Sequence, residues 1–360
     1  MDTSIMKTDD LLFSRVSELI EQARQHVARA VNSAMVRTYY AIGRYIVQDE
    51  QQGERAEYGK AILRNLSIRL TENYGKGWSV PNLKKIRQFY LVYSKRINGV
   101  NPFRDKKINT VYPIDSEEIP DFNLSWSHYL VLITVDNPDA RRFYEIECAQ
   151  QNWSVRQLQR QVASSLYERL ALSRDKQGIM RLATEGQTIE KPEDVLKNPL
   201  SLEFLGLKPD ASYSETKLEH AIIAKMRDFL LELGKGFLFE AEQKRFTFDE
   251  DNYFVDLVFY NRLLRCYCLI DLKVDKLSHQ DLGQMQMYVN YYDRFVKLPD
   301  EKPTIGILLC PKKNDAMVEL TLPRDANIYA SEYSLYLPQK AVLQRKLQEW
   351  IDEFEDAQLE

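Results

Sequence analysis

Apolar residues recur at steps of three to four over 10–32, 33–50, 56–73, 82–96, 126–135, 137–151 and 154–172, the period of an amphipathic α-helix. The first half of the chain is therefore expected to be all-α. Gly75 and Gly77, followed by Ser79 and Pro81 ahead of Asn82, mark a helix end, a tight turn and a new helix start. The polar stretch 184–200, TEGQTIEKPEDVLKNPL, carries two prolines and no sustained period. It reads as a linker, with the domain boundary near 200.

Beyond that point the pattern changes. Over 215–233 an amphipathic helix collects Leu218, Ile222, Met226, Phe229, Leu230 and Leu233 on one face, and Gly234 and Gly236 stop it. Phe237–Phe248, Tyr253–Tyr260 and Arg265–Lys273 are rich in aromatic and branched residues. Separated by DEDN and a short 261–264 turn, they predict three strands in two hairpins. A helix from Ser278 to Phe295 leads to the apolar run Thr304–Cys310, a buried strand. A helical crossover predicts parallel pairing with a right-handed connection. A further strand around Asn327–Leu337 and an amphipathic tail helix over 339–356, expected to dock on its own domain, complete the chain. The expected fold class is α+β: an all-α domain over 10–183, a linker over 184–200, and an α/β domain over 201–357 ordered helix, three strands, helix, strand.

Composition narrows the function classes. No run approaches the roughly 20 apolar residues that span a bilayer, and the start MDTSIMKTDD lacks the apolar stretch of a signal peptide. A cytosolic, cytoplasmic protein with no membrane partner is expected. Cys148, Cys266, Cys268 and Cys310 lack the CxxC or His spacing of a zinc site and read as reduced thiols, with Cys266 and Cys268 on one strand face as small hydrophobes. A net charge of −4 argues against coating nucleic acid through a global positive field. Contact with nucleic acid would be local. From Lys84 to Lys107 the chain holds Lys84, Lys85, Arg87, Lys95, Arg96, Arg104, Lys106 and Lys107 against one acid, Asp105. The helix opened by Asn82 carries Lys84, Lys85 and Arg87 beside Phe89, Tyr90 and Tyr93. This fits a helix-turn-helix lying against phosphates, and fits as well a helical bundle with a basic solvated face. Arg156 and Arg160, at i and i+4, share one side of the next basic helix, which Arg169 extends.

The chemistry concentrates in two strands. Asp256 sits inside FVDLVFY, and Asp271 with Lys273 ends CYCLIDLK. Charged side chains are rarely buried unless paired with each other or with a metal, because desolvation costs several kcal/mol per ion. A turn centred on Arg262-Leu263 would set 260 against 265, 256 against 269 and 254 against 271. Asp271 is then the diagonal neighbour of Asp256, about 7–8 Å away at Cα, and Lys273 shares their face. A slip of one residue would separate the acids. Two carboxylates so close repel unless a cation lies between them. All-oxygen ligands point to Mg²⁺, or Mn²⁺, with the Leu272 carbonyl as a third protein ligand. Such a site suits phosphodiester hydrolysis, with Lys273 orienting the nucleophile or stabilising the transition state. A buried ion pair between one acid and Lys273 is the alternative. Glu219, beside the apolar stripe of 215–233, is placed to reach the metal or its water, or is a surface acid. Asp281, Gln284 and Tyr288 form a polar helix face from which Gln284 can hold a water or a phosphate.

At these residues the sequence resembles the PD-(D/E)XK nuclease superfamily, whose core is a helix, three antiparallel strands, a helix and a parallel strand, the restriction-endonuclease-like αβββαβ order. Asp256 matches the first acid, Asp271-Leu-Lys273 the (D/E)XK element with the less common Asp, Glu219 the acid of the first helix, and Gln284 the glutamine after the motif. DLVFYNRLLRCYCLIDLKVDKLSHQDLGQMQMYVNYYD is similar, more narrowly, to the bacterial YhcG-like family of Holliday-junction-resolvase-like nucleases. AEYGKAILRNLSIRLTENYGKGWSVPNLKKIRQFY and LSWSHY resemble that family's helical, winged-helix-like N-terminal domain. The resemblance implies a metal-dependent endodeoxyribonuclease with DNA as partner, and it favours the helix-turn-helix reading of 56–96. A non-cleaving DNA-binding scaffold and a ribonuclease stand as alternatives. Two nearby cuts would favour a homodimer.

Overall fold

In the computed structural model, α1 (Thr3–Gln52) runs unbroken through the joint expected at 32/33, where neither Gly nor Pro interrupts it. The structure describes residues 3–52, 56–94, 120–172, 174, 176–197, 199–208, 213–248, 250–313, 315–323 and 325–356. Lys95, Arg96, Arg104, Asp105, Lys106 and Lys107 of the expected basic stretch lie outside them. The chain divides into two compact units, Met1–Gln159 and Arg160–Glu360.

In the first unit, α2 (Ala56–Tyr74) and α3 (Val80–Tyr93) flank the expected turn. Gly75 and Gly77 take φ of 80° and 120° there, open to a residue without Cβ. Pro81 occupies the first turn of α3, where a missing N–H breaks no helical bond. α4 (Trp126–Leu132) and α5 (Pro138–Gln151) follow, the latter capped by Asn137, which accepts from the amides of Asp139 and Ala140. Phe89 and Tyr93, both fully buried, pack their rings against Phe122 and Tyr129 at 5.0–5.7 Å. These aromatics of α3 are core, and Lys84 and Lys85 on its other side are exposed. Every regular element described in this unit is helical, so no strand that would form a wing occurs among the described residues.

The division falls at 159/160 rather than near 200, within α6 (Val155–Ala163). α7 (Leu166–Ala171) and α8 (Lys176–Glu185) belong to the second unit, and 154–172 is not one helix. Ser165 is left-handed at φ 53°, and the Ser164 carbonyl accepts from Arg169 Nε at 2.8 Å. Buried charge explains the placement. Glu232 has no exposure and receives Arg169 at 2.5 Å and Arg160 at 3.1 Å, while Arg160 also pairs with Glu203 at 2.9 Å. The stretch taken for a linker is built in. Asp194 closes a short turn by accepting from the amides of Glu190 and Lys191, and β1 (Leu200–Ser201) joins the sheet.

The remaining elements are α9 (Glu215–Ala224), α10 (Met226–Leu233), β2 (Phe237–Phe248), β3 (Asp251–Asn261), β4 (Cys266–Leu272), α11 (His279–Tyr291), β5 (Ile305–Cys310), α12 (Asp315–Thr321), β6 (Ile328–Ser334) and α13 (Lys340–Asp356). The helix expected over 215–233 breaks at Lys225, whose φ of −121° is not helical. The sheet order is β1-β6-β5-β4-β3-β2. β2, β3 and β4 pair antiparallel, and β4 with β5 parallel, as the crossover required. Alternation sends Cys268, Ile270 and Leu272 to the α9–α10 side, with Leu218, Ile222 and Phe229. Leu269 faces α11, with Leu282, Met285 and Tyr288. All four cysteines are free and buried. A Cβ at Gly306 would lie 2.7 Å from Met285 Cγ, so glycine lets α11 approach β5 closely. The tail helix buries Leu343 and Leu347 and donates from Gln344 to Glu168 of α7 at 3.3 Å. No described helix is long and apolar enough to cross a membrane.

Candidate active site

The β3–β4 register differs from the expected one by two residues. Asn261 pairs with Cys266 and Leu257 with Ile270, so the same register carried one step further sets Asp256 directly opposite Asp271. The loop is four residues long because the Asn261 side chain accepts from the amides of Leu263 and Leu264, and Arg265 closes it at φ 58°. An even shift preserves the face, so the acids meet at an opposed rather than a diagonal position.

Asp256 is held on both oxygens. Oδ2 accepts from the Leu272 amide at 2.8 Å, and Oδ1 from Gln243 Nε2 at 2.9 Å. The same Gln243 nitrogen donates to Glu219 Oε2 at 2.8 Å, so an amide stands between these two acids. Glu219 is buried on α9. Burial first, and the charge of Asp256 after it, raise its pKa in spite of the Gln243 bond. Asp271 is 3% exposed. Burial and then Asp256 push it up to about 7, against the pull of Lys273.

Lys273 Nζ lies 2.8 Å from Asp271, 3.6 Å from Asp281 and 4.0 Å from Glu215. Burial works to lower its pKa, but Asp271 and then the outer acids hold it above the ordinary lysine value. It is a fixed cation at neutral pH. On α11, Asp281 caps the helix through Ser278, and Gln284 Nε2 donates to the Tyr288 hydroxyl. Burial, then Asp271 and Asp256 after the opposing Gln284 bond, raise Tyr288, which places that ring within the field of the acids.

Among the described residues, no three His, Cys, Asp or Glu side chains by themselves enclose a metal ion. The donor set is a carboxylate pair, Asp256 and Asp271, with Glu219 set back behind Gln243. That suits Mg²⁺, which keeps several waters and takes one or two carboxylates. The basic residues are divided: Lys84, Lys85 and Arg156 are exposed. Arg87 is bound to Glu50 at 2.5 Å, and Arg160 is spent on Glu203 and Glu232, so it is a structural ion-pair residue rather than an open phosphate contact.

Sequence reasoning missed Gln243. It is an exposed polar residue on edge strand β2, set at φ 43° beside a register shift, and only backbone geometry reveals that it turns toward the acids.

A relative in Escherichia coli (strain K12), named "Putative nuclease YhcG", is 39% identical over 345 residues, covering 92% of each chain. The chain belongs to the YhcG family. The YhcG PDDEXK nuclease domain matches residues 193–348, and the DUF1016 N-terminal domain matches 15–169. Two solved structures are similar over a part. A repair endonuclease from Pyrococcus abyssi is 18% identical and an EndoMS–dsDNA complex 14%, each covering 37% of this chain and 50% of its own, with a TM-score of 0.25. The chain thus spans half the length of each of those two. YhcG membership makes this an α+β protein whose second unit is a nuclease domain of restriction-endonuclease-like fold, the class that hydrolyses phosphodiester bonds.

Proposed function

We propose that the chain is a Mg²⁺-dependent endodeoxyribonuclease, with Asp256, Asp271 and Lys273 at its centre. The observation that carries this reading is the gathering of two carboxylates just past the paired Leu257 and Ile270, with Asp256 accepting from the Leu272 amide and the Lys273 ammonium 2.8 Å from Asp271. Burial first, and the charge of Asp256 after it, raise Glu219 and Asp271, and a divalent cation would neutralise that charge. Asp256 and Asp271 would hold it, with the Leu272 carbonyl as a backbone ligand and Glu219 acting through water. When bound, Mg²⁺ or Mn²⁺ lowers the pKa of water and neutralises charge on a phosphoryl oxygen.

The chain's own residues do the rest. Lys273, its ammonium held among Asp271, Asp281 and Glu215, orients the attacking water or stabilises the negative charge that develops on the phosphoryl oxygens. Asp281 and Glu215 steady its side chain. Gln243 fixes the Asp256 carboxylate while the Leu272 amide fixes its other oxygen. Gln284, half-buried and braced by the hydroxyl of the buried Tyr288, would offer its amide to water or phosphate. In the helical unit, exposed Lys84 and Lys85 on α3 follow a tight turn, as a helix-turn-helix contact with a DNA backbone, with or without a wing, would require. Two cuts on opposed strands favour a homodimer. The cytoplasm is the proposed location.

The test is incubation of the chain with linear duplex, single-stranded and four-way-branched DNA and with RNA, under Mg²⁺, Mn²⁺ or chelator. Cleavage of DNA that needs the divalent ion is expected. Cutting of RNA alone would replace the substrate. Binding of DNA without cutting under either ion would make the chain a scaffold.

A further inference from the structure

Residues Leu12–Met35 of α1 include no buried residue among those described, and burial begins at Val36. That segment is about 36 Å long at 1.5 Å per residue. Its composition is that of a covered surface. Phe13 is 73% exposed, Leu19 65% and Val27 61%, whereas large exposed apolar patches on soluble proteins mark interaction sites.

The pattern names the partner. Phe13, Val16, Ile20, Ala23, Val27 and Ala30 follow one another at alternating steps of three and four, and Ala34 continues the series. This is the a/d repeat of a helix that packs against another helix of the same period. The alanines let the axes approach, and Leu12, Leu19 and Val31 widen the stripe. The segment holds three arginines, Arg15, Arg24 and Arg29, against Glu18 and Glu21, so it offers no strong charge to a polyanion or an anionic membrane. The seven large apolar side chains of the stripe expose on the order of 700 Å² together, close to one partner's share of a standard interface. A second copy supplies the same repeat and the same area in a self-complementary contact.

We infer that α1 is a dimerisation helix, pairing over Leu12–Met35 with α1 of a second copy of this chain. The surface is read from α1 alone; it gives the homodimer of the proposed function a location without depending on the nuclease chemistry.

Sedimentation equilibrium of the full chain at micromolar concentration tests it. The wild type is expected to be dimeric, and the double variant Ile20→Glu, Val27→Glu monomeric with unchanged helicity and melting, because both side chains face solvent within one chain. Ile20→Leu should remain dimeric. Asp256→Ala should also remain dimeric whether or not it cuts, which separates this inference from the nuclease reading. A monomeric wild type, or a dimer indifferent to the two glutamates, overturns it.

Discussion

Asp271→Asn is expected to inactivate the protein and, without metal, to stabilise it. Asp271 is 3% exposed, and burial together with the charge of Asp256 pushes its pKa up to about 7, against ~3.9 for an unfolded aspartate. The folded pKa lies above the unfolded one, so the folded state binds more protons between them. Stability is therefore fully present below about pH 4 and is lost as pH rises through about 7. At ~1.4 kcal/mol per pH unit, ionised Asp271 costs on the order of 4 kcal/mol on the alkaline side. Asparagine has nearly the shape of the protonated acid, can still accept from Lys273, and never ionises. Urea unfolding in chelator across this range measures the difference between variant and wild type. It should be near zero at the acid end, grow by ~1.4 kcal/mol per pH unit, and level off above about pH 7. A difference independent of pH, or a variant less stable than wild type in alkali, would refute the reasoning.

Three other outcomes follow from single contacts. Gln243→Gly gives φ 43° to the residue that tolerates it, so stability should hold or rise by about 1 kcal/mol, while turnover falls about 10–100-fold with the loss of the bridge between Glu219 and Asp256. Unchanged turnover would remove Gln243 from the site. Arg169→Met leaves Glu232 buried beside fewer cations and should cost about 3–5 kcal/mol in urea unfolding; a loss below about 1 kcal/mol would show that Arg160 and Lys197, whose buried ammonium donates to the Glu232 carbonyl, suffice. Replacing Lys84 and Lys85 together by alanine should shallow the salt dependence of DNA affinity by about 0.9 in log–log slope for each phosphate lost. An unaltered slope takes α3 out of the DNA footprint.

Much of the second unit was legible because its signals are local. Period-two alternation placed Asp256 and Asp271 on strands, and an even register keeps them on one face; Lys273, expected at the end of the strand, lies just past β4 with its ammonium on Asp271. The exact register was not legible, since it depends on the Asn261 side chain capping two amides and on Arg265 adopting a left-handed conformation. Arg160 and Arg169 looked like a basic surface because Glu232, which neutralises both, stands more than sixty positions away in sequence. The same arginines tie α6 and α7 to Glu232 of α10 and to the Pro199 and Ser201 carbonyls, which a polar, proline-bearing composition could not disclose. Gln243 was invisible for a different reason: nothing in EAEQKRF announces a positive φ.

The most direct measurement compares Mg²⁺-dependent cleavage of DNA by the wild type, Asp256→Ala and Lys273→Ala, each checked for a cooperative unfolding transition. If Asp256 and Lys273 carry the chemistry, both folded variants lose at least about a hundredfold in rate. Folded variants that cleave as fast as the wild type would contradict it.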